Sequence, residues 1–184
     1  LLARGGAARV ALPGGDILGA RPVNLHLDAL SKMGAEIQVK HGVVYASAID
    51  GLKPTTVSLP FASVGATHQF LMAAVLTPGT SVLKNAAREP EVVALADALN
   101  AMGGTIVGAG SEEIVIEGVS ELHGADIEII GDRIEAATYL LAAAATRGSV
   151  RVTGIKPSYF GDFLTILSEL GVELKCDFDS ISLK

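Results

Sequence analysis

The stretch Asp28-Ala29-Leu30-Ser31-Lys32-Met33-Gly34-Ala35 returns twice along the chain, as Asp97-Ala98-Leu99-Asn100-Ala101-Met102-Gly103-Gly104 and as Thr165-Ile166-Leu167-Ser168-Glu169-Leu170-Gly171-Val172. The first residues of these segments lie 69 and 68 residues apart. Each segment carries apolar residues at helical spacing and then a glycine, the residue that most easily adopts the left-handed conformation after a helix. The chain is therefore predicted to repeat one supersecondary unit of about 69 residues.

The predicted order of elements in that unit is β-α-β-α-β-β. In the middle copy we expect a strand at 56–59, a helix at 64–77, a strand at 80–84, a helix at 90–102 and strands at 105–107 and 114–117. The third copy is expected to have a strand at 126–130, a helix at 134–147, a strand at 149–153, a helix at 159–170 and strands at 173–175 and 180–183. The first copy supplies only the second half, with a strand at 9–12, a helix from Pro22 and strands at 36–39 and 43–46. This pattern predicts an α/β (α+β) fold in which each helix buries an apolar face against the sheets.

The composition narrows the function classes. Hydrophobic residues make up 49% of the 184 residues and aromatic residues only 4%, so the core must be aliphatic. The net charge is −6 and no basic stripe is present, which argues against a nucleic-acid-binding protein. The single Cys176 excludes an internal disulfide framework, and the histidines have no partners at metal-ligand spacing, so we expect no metal and no cofactor. The longest apolar run is too short for a membrane span, and we expect a cytoplasmic protein.

The repeat is interrupted at one place. Between strand and helix the first copy has four or five more residues than the other two, and they fall in the loop 13–21, which contains three glycines. Arg21 precedes Pro22 at the predicted helix start, where free amides and the helix dipole favour an anion. Asp16 is the only side chain of the loop able to exchange a proton near neutral pH. On these grounds alone, an anion-binding functional loop and a long solvated surface loop are equally good interpretations.

Four motifs carry a resemblance to a known family. They are the loop from Leu12 through Pro13-Gly14-Gly15-Asp16 and Arg21-Pro22-Val23-Asn24-Leu25 to His26, then Ser63-Val64-Gly65-Ala66-Thr67, Asn85-Ala86-Ala87-Arg88-Glu89-Pro90-Glu91 and Gly131-Asp132-Arg133-Ile134-Glu135. In order and spacing the chain resembles the enolpyruvyl transferases of the UDP-N-acetylglucosamine 1-carboxyvinyltransferase type. The resemblance covers the whole chain and implies a fold of two domains, each of three β-α-β-α-β-β units.

The resemblance also implies a reaction and its site. Enolpyruvate would move from phosphoenolpyruvate to the 3-hydroxyl of UDP-N-acetylglucosamine with release of phosphate, the first committed step of peptidoglycan synthesis. Asp16 would be the catalytic acid, in a position that is most often Cys in the family and is then the target of fosfomycin, so we expect insensitivity to that drug. Substrate-binding positions would be Arg21 for phosphate groups, Pro22, Val23, Asn24 and Leu25 for the uracil ring, and Ser63, Val64 and Gly65 for the diphosphate.

Two positions depart from the family pattern. Asn24 stands where Asp is common, and Phe61 stands where a phosphate-binding Lys is common. Several residues also allow a purely structural interpretation. Ser63 and Asp132 could be helix caps, and Arg88, Glu89 and Glu91 a solvated helix start. His26 is expected to pack or hydrogen-bond near the loop rather than to transfer protons.

The resemblance assigns residues 1–125 to part of a first domain, which carries the loop 13–21, and residues 126–184 to the first repeat of a second domain. Other substrate-binding residues of the family would lie outside this chain, so the chain alone is expected to have no turnover. It is also expected to expose apolar faces through which it could self-associate. The parent enzyme is expected to be monomeric. Two alternatives remain open at this point: the shikimate-pathway enolpyruvyl transferase, and a noncatalytic module that binds a nucleotide sugar.

Overall fold

The three matched glycines end three helices in the same way. A computed structural model describes residues 1–14, 19 and 22–184 of the chain. In it Gly34, Gly103 and Gly171 have φ values of 93°, 101° and 88°, in the left-handed region that glycine adopts without strain. The residue after each glycine donates its amide hydrogen to the carbonyl five residues earlier, over 2.9–3.1 Å: Ala35 to Leu30, Gly104 to Leu99 and Val172 to Leu167. The predicted repeat is therefore present at the level of individual hydrogen bonds.

The first, partial repeat forms a three-stranded antiparallel sheet with helices beside it. Its elements are α1 (Leu2–Gly5), β1 (Ala7–Ala11), α2 (Asn24–Lys32), β2 (Glu36–Lys40) and β3 (Val43–Ser47), and the strand order is β1-β3-β2. Helix α2 begins at Asn24 and not at Pro22 as predicted, because Val23 has the non-helical φ and ψ of −112° and 6° and occupies the N-cap position.

The middle repeat has the complete predicted order. It consists of β4 (Thr56–Ser58), α3 (Val64–Ala74), β5 (Gly79–Lys84), α4 (Pro90–Ala101), β6 (Thr105–Val107) and β7 (Glu113–Gly118). The strand order is β4-β5-β7-β6, with β4 parallel to β5 and the other pairs antiparallel. Helices α2, α3 and α4 share one aliphatic core with this sheet, in which Met33, Phe70, Leu71 and Ile114 are fully buried.

The third repeat departs from the prediction at two points. It contains α5 (Arg133–Ala145), β8 (Val150–Thr153), a 3₁₀ turn (Pro157–Phe160), α6 (Phe163–Glu169), β9 (Leu174–Cys176) and β10 (Ser180–Leu183), with strand order β8-β10-β9. The strand predicted at 126–130 is absent: among the described residues β8 pairs only with β10, and 126–130 pairs with no strand and stays irregular despite its alternating sequence.

The helix predicted at 159–170 is divided. Gly161 has φ 51° and ψ −129°, which no helix accommodates, and it separates the 3₁₀ turn from α6. The aromatic rings of Phe160 and Phe163 lie 5.8 Å apart across this break, and Phe160 is buried. Packing of the two rings thus accompanies a bend that helical periodicity does not predict.

The chain divides into two compact units, Leu1–Ile127 and Glu128–Lys184. The second unit has its own small core around Ala136, Leu140, Leu167, Ile181 and Leu183. Within the described residues, no helix has both the length and the apolar character needed to cross a bilayer.

Candidate functional site

The loop that interrupts the repeat connects β1 to α2. Its two ends are described, through Leu12–Gly14 on one side and from Pro22 on the other, together with Gly19, whose φ is 117°. The predicted catalytic Asp16 and the predicted phosphate ligand Arg21 lie outside the described residues. The description of the site therefore starts from the first turns of two helices, α2, which follows this loop, and α3, which follows Ser63.

Among the residues that the structure describes, no side chain caps the start of α2. Val23 is the N-cap residue and makes no side-chain hydrogen bond, and the first turn contains no acidic residue. Pro22 and Asn24 are exposed, whereas Leu25 is buried in the core shared with α3. Backbone amides at such a start remain available to an external acceptor, and the helix dipole adds a partial positive charge.

The start of α3 is capped only weakly. Ser63 has an extended backbone, and its Oγ accepts one hydrogen bond from the amide of Ala66 at 3.4 Å. Within the described part of the chain, the amides of Val64 and Gly65 have no hydrogen-bond partner. The cap predicted for Ser63 is therefore confirmed, and two amides of the same turn are free to bind an anion.

His26 and Gln69 hold these two helix starts together. Gln69 donates from Nε2 to the backbone oxygen of His26 at 3.4 Å, so its Oε1 is the acceptor for the His26 Nδ1 proton at 2.5 Å. A Cβ atom on Gly65 would lie only 3.2 Å from Cε1 of the His26 ring, so glycine allows the imidazole to approach the first turn of α3. His26 thus makes the hydrogen bond expected near the loop, and the segments 22–25 and 63–65 begin side by side.

Gln69 is the one contributor to this arrangement that the sequence did not reveal. It lies two turns into α3 on the same face as Gly65, and neither its type nor its spacing is unusual. Only the packing of α2 on α3 gives it a partner.

The charges near these helix starts are sparse. Phe61 is exposed and brings no cation two residues before Ser63. Arg88 is paired with Glu112, and Lys84 lies 3.5 Å from Glu113. Glu89 is the N-cap residue of α4 and Pro90 opens that helix. Of the three residues predicted to form a solvated helix start, Arg88 is exposed, whereas Glu89 and Glu91 are half-buried. Among the described residues, the backbone amides of these helix starts are therefore better placed to accept an anion than these side chains.

Asp132 caps α5 in the second unit. Its Oδ1 accepts hydrogen bonds from the amides of Ile134 at 2.8 Å and Glu135 at 3.1 Å. The capping role predicted for Asp132 is confirmed. No group of acidic, histidine and cysteine side chains in the described ranges could hold a metal ion.

An apolar cleft of about 560 Å³ lies in the first unit beside the loop ends. Its walls are mostly aliphatic and come from α1, β1, β3, α2 and α3, and its polar side chains are those of His26 and Gln69. Such a lining suits apolar groups and not phosphate groups.

Comparison with known proteins assigns the family. The model of the family described as EPSP synthase (3-phosphoshikimate 1-carboxyvinyltransferase) matches residues 1–183. The chain belongs to this family. The structure of the enolpyruvyl transferase NikO from Streptomyces tendae superposes with a TM-score of 0.82 at 26% identity, over the whole chain and 44% of that protein. EPSP synthase from Acinetobacter baumannii superposes with a TM-score of 0.69 at 24% identity, which shows the same fold.

The sequence relatives carry a more specific name. The chain is 48% identical over 184 residues to UDP-N-acetylglucosamine 1-carboxyvinyltransferase 1 of Staphylococcus aureus (strain MRSA252). It is 52% identical over 174 residues to UDP-N-acetylglucosamine 1-carboxyvinyltransferase of Acidiphilium cryptum (strain JF-5). All of this chain matches the first relative, but it spans only 44% of that relative's length. The resemblance predicted from four motifs is confirmed, as is the enolpyruvyl-transferase fold.

Proposed function

We propose that this chain is part of an enzyme that transfers enolpyruvate from phosphoenolpyruvate to the 3-hydroxyl of UDP-N-acetylglucosamine. The observation that carries the proposal is the identity of 48–52% to enzymes of that name, sustained across at least 95% of the chain. The enzyme would act in peptidoglycan synthesis, and so in cell wall biogenesis, cell shape and division. Its substrates are small cytoplasmic molecules, and we propose the cytoplasm as its location and a monomer as the form of the whole enzyme.

The paired helix starts support a binding site for the nucleotide sugar. Two sets of amides at neighbouring helix N-termini suit a diphosphate, which carries two negative charges within a few ångströms. In this proposal Ser63, Val64 and Gly65 bind the diphosphate, and Pro22, Val23, Asn24 and Leu25 hold the uracil ring largely through their backbone. Asn24 can donate to or accept from a uracil edge without a charge.

The loop would supply the chemistry. Addition of the sugar hydroxyl to C2 of phosphoenolpyruvate requires a proton at C3, and elimination then removes a C3 proton and releases phosphate. We assign the proton donation to Asp16 and the binding of substrate phosphate to Arg21. An aspartate is usually ionised near neutral pH, so the closed site must favour its protonated form, as nearby phosphate charges would. No cofactor or metal ion enters this sequence of steps.

The proposed domain assignment places residues 1–125 in one domain and residues 126–184 in the next. The division into compact units at Ile127 supports it. In a two-domain transferase the loop 13–21 would then belong to the first domain.

The proposal can be tested in a chimera. The Staphylococcus aureus relative offers a direct frame: its matched stretch of 184 residues is replaced by this chain, and phosphate release is measured with phosphoenolpyruvate and UDP-N-acetylglucosamine. We expect turnover that depends on both substrates, and its loss in an Asp16→Ala chimera.

Two outcomes would count against the proposal. Phosphate release with shikimate 3-phosphate and not with the nucleotide sugar would favour the other transferase of this fold, whose name the family model carries. Binding of UDP-N-acetylglucosamine by a folded chimera without any phosphate release would favour a noncatalytic binding module.

A further inference from the structure

An asparagine holds the turn that follows β5. Asn85 has a φ of 56°, in the left-handed region that asparagine adopts more readily than most residues with a side chain. Its Nδ2 donates a hydrogen bond to the carbonyl oxygen of Leu59 at 3.0 Å. The amide of Leu59 in turn donates to the carbonyl of Lys84 at 3.0 Å. Leu59 is therefore fixed, through both its amide and its carbonyl, to the end of β5.

Leu59 is the first residue of the segment that leads to the free amides of Val64 and Gly65. We call residues 63–65 the amide turn. Strand β4 ends at Ser58, and among the described residues 60–62 make no hydrogen bond. The hydrogen bonds of Leu59 are thus the last ones before Ser63, and they set the point from which the chain enters the amide turn.

The connection after β5 also holds the other side of the amide turn. The amide of Ala87 donates to Oγ1 of Thr67 at 3.1 Å. Thr67 is fully buried one turn into α3, and Ala86 and Ala87 are buried as well. Residues 85–87 therefore contact the chain both before and after the amide turn, and all of these contacts lie within the complete middle repeat.

The third repeat has the same backbone turn without the side chain. Ser63 and Asp132, the N-caps of α3 and α5, lie 69 residues apart, and the same offset relates Asn85 to Gly154. Each follows its strand directly, and Gly154 has a φ of 74°. A Cβ atom on Gly154 would meet nothing within 4 Å, so space does not exclude a side chain there. The turn itself needs only the left-handed backbone.

The second polar group of the middle repeat is also missing from the third. Residue 136, which corresponds to Thr67, is a buried alanine. The start of α5 is occupied by its own cap, since the Asp132 carboxylate accepts hydrogen bonds from two amides of the first turn. The repeat therefore folds without an amide or hydroxyl at these two positions, and both groups occur in the repeat whose helix start has free amides.

We propose that Asn85 is a positioning residue of the substrate site, and this inference rests on the proposed function, in which the amide turn binds the diphosphate of the nucleotide sugar. By holding the Leu59 carbonyl, the Asn85 side chain fixes the direction in which 60–62 enters the turn. The amides of Val64 and Gly65 are then oriented before the substrate arrives, and groups that are already ordered lose less conformational entropy on binding. Asn85 acts through Leu59 and not by touching the substrate.

The test uses the chimera with two substitutions at residue 85. Asn85→Gly keeps the left-handed backbone and reproduces Gly154, and Asn85→Asp keeps the shape of the side chain; both remove the donor to the Leu59 carbonyl. We expect each to raise KM for UDP-N-acetylglucosamine about tenfold, roughly the effect of one lost hydrogen bond, while kcat and KM for phosphoenolpyruvate change by less than about twofold.

Asn100→Ala is the matched control. Asn100 also donates from its side chain to a backbone carbonyl of the middle repeat, that of Ile106, but outside the amide turn. This variant should weaken the fold and leave KM for the nucleotide sugar unchanged. An unchanged KM in the Asn85 variants, a fall in kcat alone, or an equal rise of KM in Asn100→Ala would show that Asn85 serves stability only, and would overturn the proposal.

A second readout separates the role of Asn85 from the proposed function. If the unchanged chimera releases no phosphate with the nucleotide sugar, the proposed function is wrong, and isothermal titration calorimetry with pyrophosphate then decides the role of Asn85. Affinity about tenfold weaker in Asn85→Gly and undiminished in Asn100→Ala would support positioning of the amide turn. Equal affinities of Asn85→Gly and the unchanged chimera, or no binding of pyrophosphate to either, would overturn it.

Discussion

Ser63 and Asp132 occupy the same place in two repeats, and this equivalence separates helix capping from anion binding. Ser63 Oγ accepts a single amide hydrogen bond at 3.4 Å, whereas Asp132 Oδ1 accepts two, at 2.8 and 3.1 Å. Ser63→Asp would therefore place a better acceptor at the start of α3, where the helix dipole also favours a negative charge. We expect α3 to become more stable by about 0.5–1 kcal/mol.

The same substitution should damage substrate binding. A carboxylate at residue 63 would stand where we place the diphosphate, and two unit charges about 4 Å apart near a protein surface repel by about 4 kcal/mol. The loss is several times the gain in helix stability and corresponds to a fall in affinity of at least about a hundredfold. The variant is thus predicted to be a more stable protein and a worse enzyme.

Two measurements separate these effects. Hydrogen exchange of the α3 amides in the 184-residue chain reports helix stability, and KM for UDP-N-acetylglucosamine in the chimera reports binding. Ser63→Gly is the matched control, because it removes the hydroxyl without adding a charge and should raise KM far less. Faster exchange in α3 of Ser63→Asp would refute the capping argument, and an unchanged KM would refute the placement of the diphosphate.

Three further predictions concern other parts of the chain. The Oδ1 atom of Asn100 accepts a hydrogen bond from the amide of Ile106 at 2.7 Å, and its Nδ2 donates to the Ile106 carbonyl at 2.8 Å. Asn100→Ala should therefore lower the free energy of unfolding, measured in urea titrations, by about 2 kcal/mol. A loss below about 0.5 kcal/mol would contradict this. Leu140 is fully buried in the core of the second unit. Leu140→Ala should therefore lower the free energy of unfolding of that unit by about 2–5 kcal/mol and speed hydrogen exchange in α5 but not in α3. Equal acceleration of exchange in both helices would argue against separate cores. Asp16→Cys should make the chimera subject to time-dependent inactivation by fosfomycin, whereas inactivation of the chimera that keeps Asp16 would show that a carboxylate can also be trapped.

Local signals predicted much of the fold. The spacing alone predicts the helix-ending glycines at 34, 103 and 171, because a left-handed residue after a helix is a local requirement. Two strands, Thr105–Val107 and Ser180–Leu183, have the predicted bounds. Proline at the start of α4 and the two side-chain caps depend on similarly local chemistry.

The two failures have different causes. The segment 126–130 alternates like a strand, but a strand forms only where another strand pairs with it, and in the part of the chain that the structure describes β8 pairs only with β10. The helix predicted from 159 to 170 has continuous apolar periodicity, yet Gly161 takes a conformation that divides it. Periodicity describes which face is buried and does not show where the backbone turns.

The candidate site shows the same limit. The two helix starts could be named from motifs, but their adjacency depends on the packing of α2 against α3. Gln69 contributes to the site only because of that packing, since its hydrogen-bonding partner His26 lies 43 residues away in the sequence.

The acceptor preference of the chimera tests the proposed function most directly. Phosphate release from phosphoenolpyruvate is compared with UDP-N-acetylglucosamine and with shikimate 3-phosphate as acceptors. We predict that kcat/KM for the nucleotide sugar exceeds that for shikimate 3-phosphate by orders of magnitude and falls in Ser63→Asp. Equal or greater turnover with shikimate 3-phosphate, or a folded chimera inactive with both acceptors, would contradict the assignment.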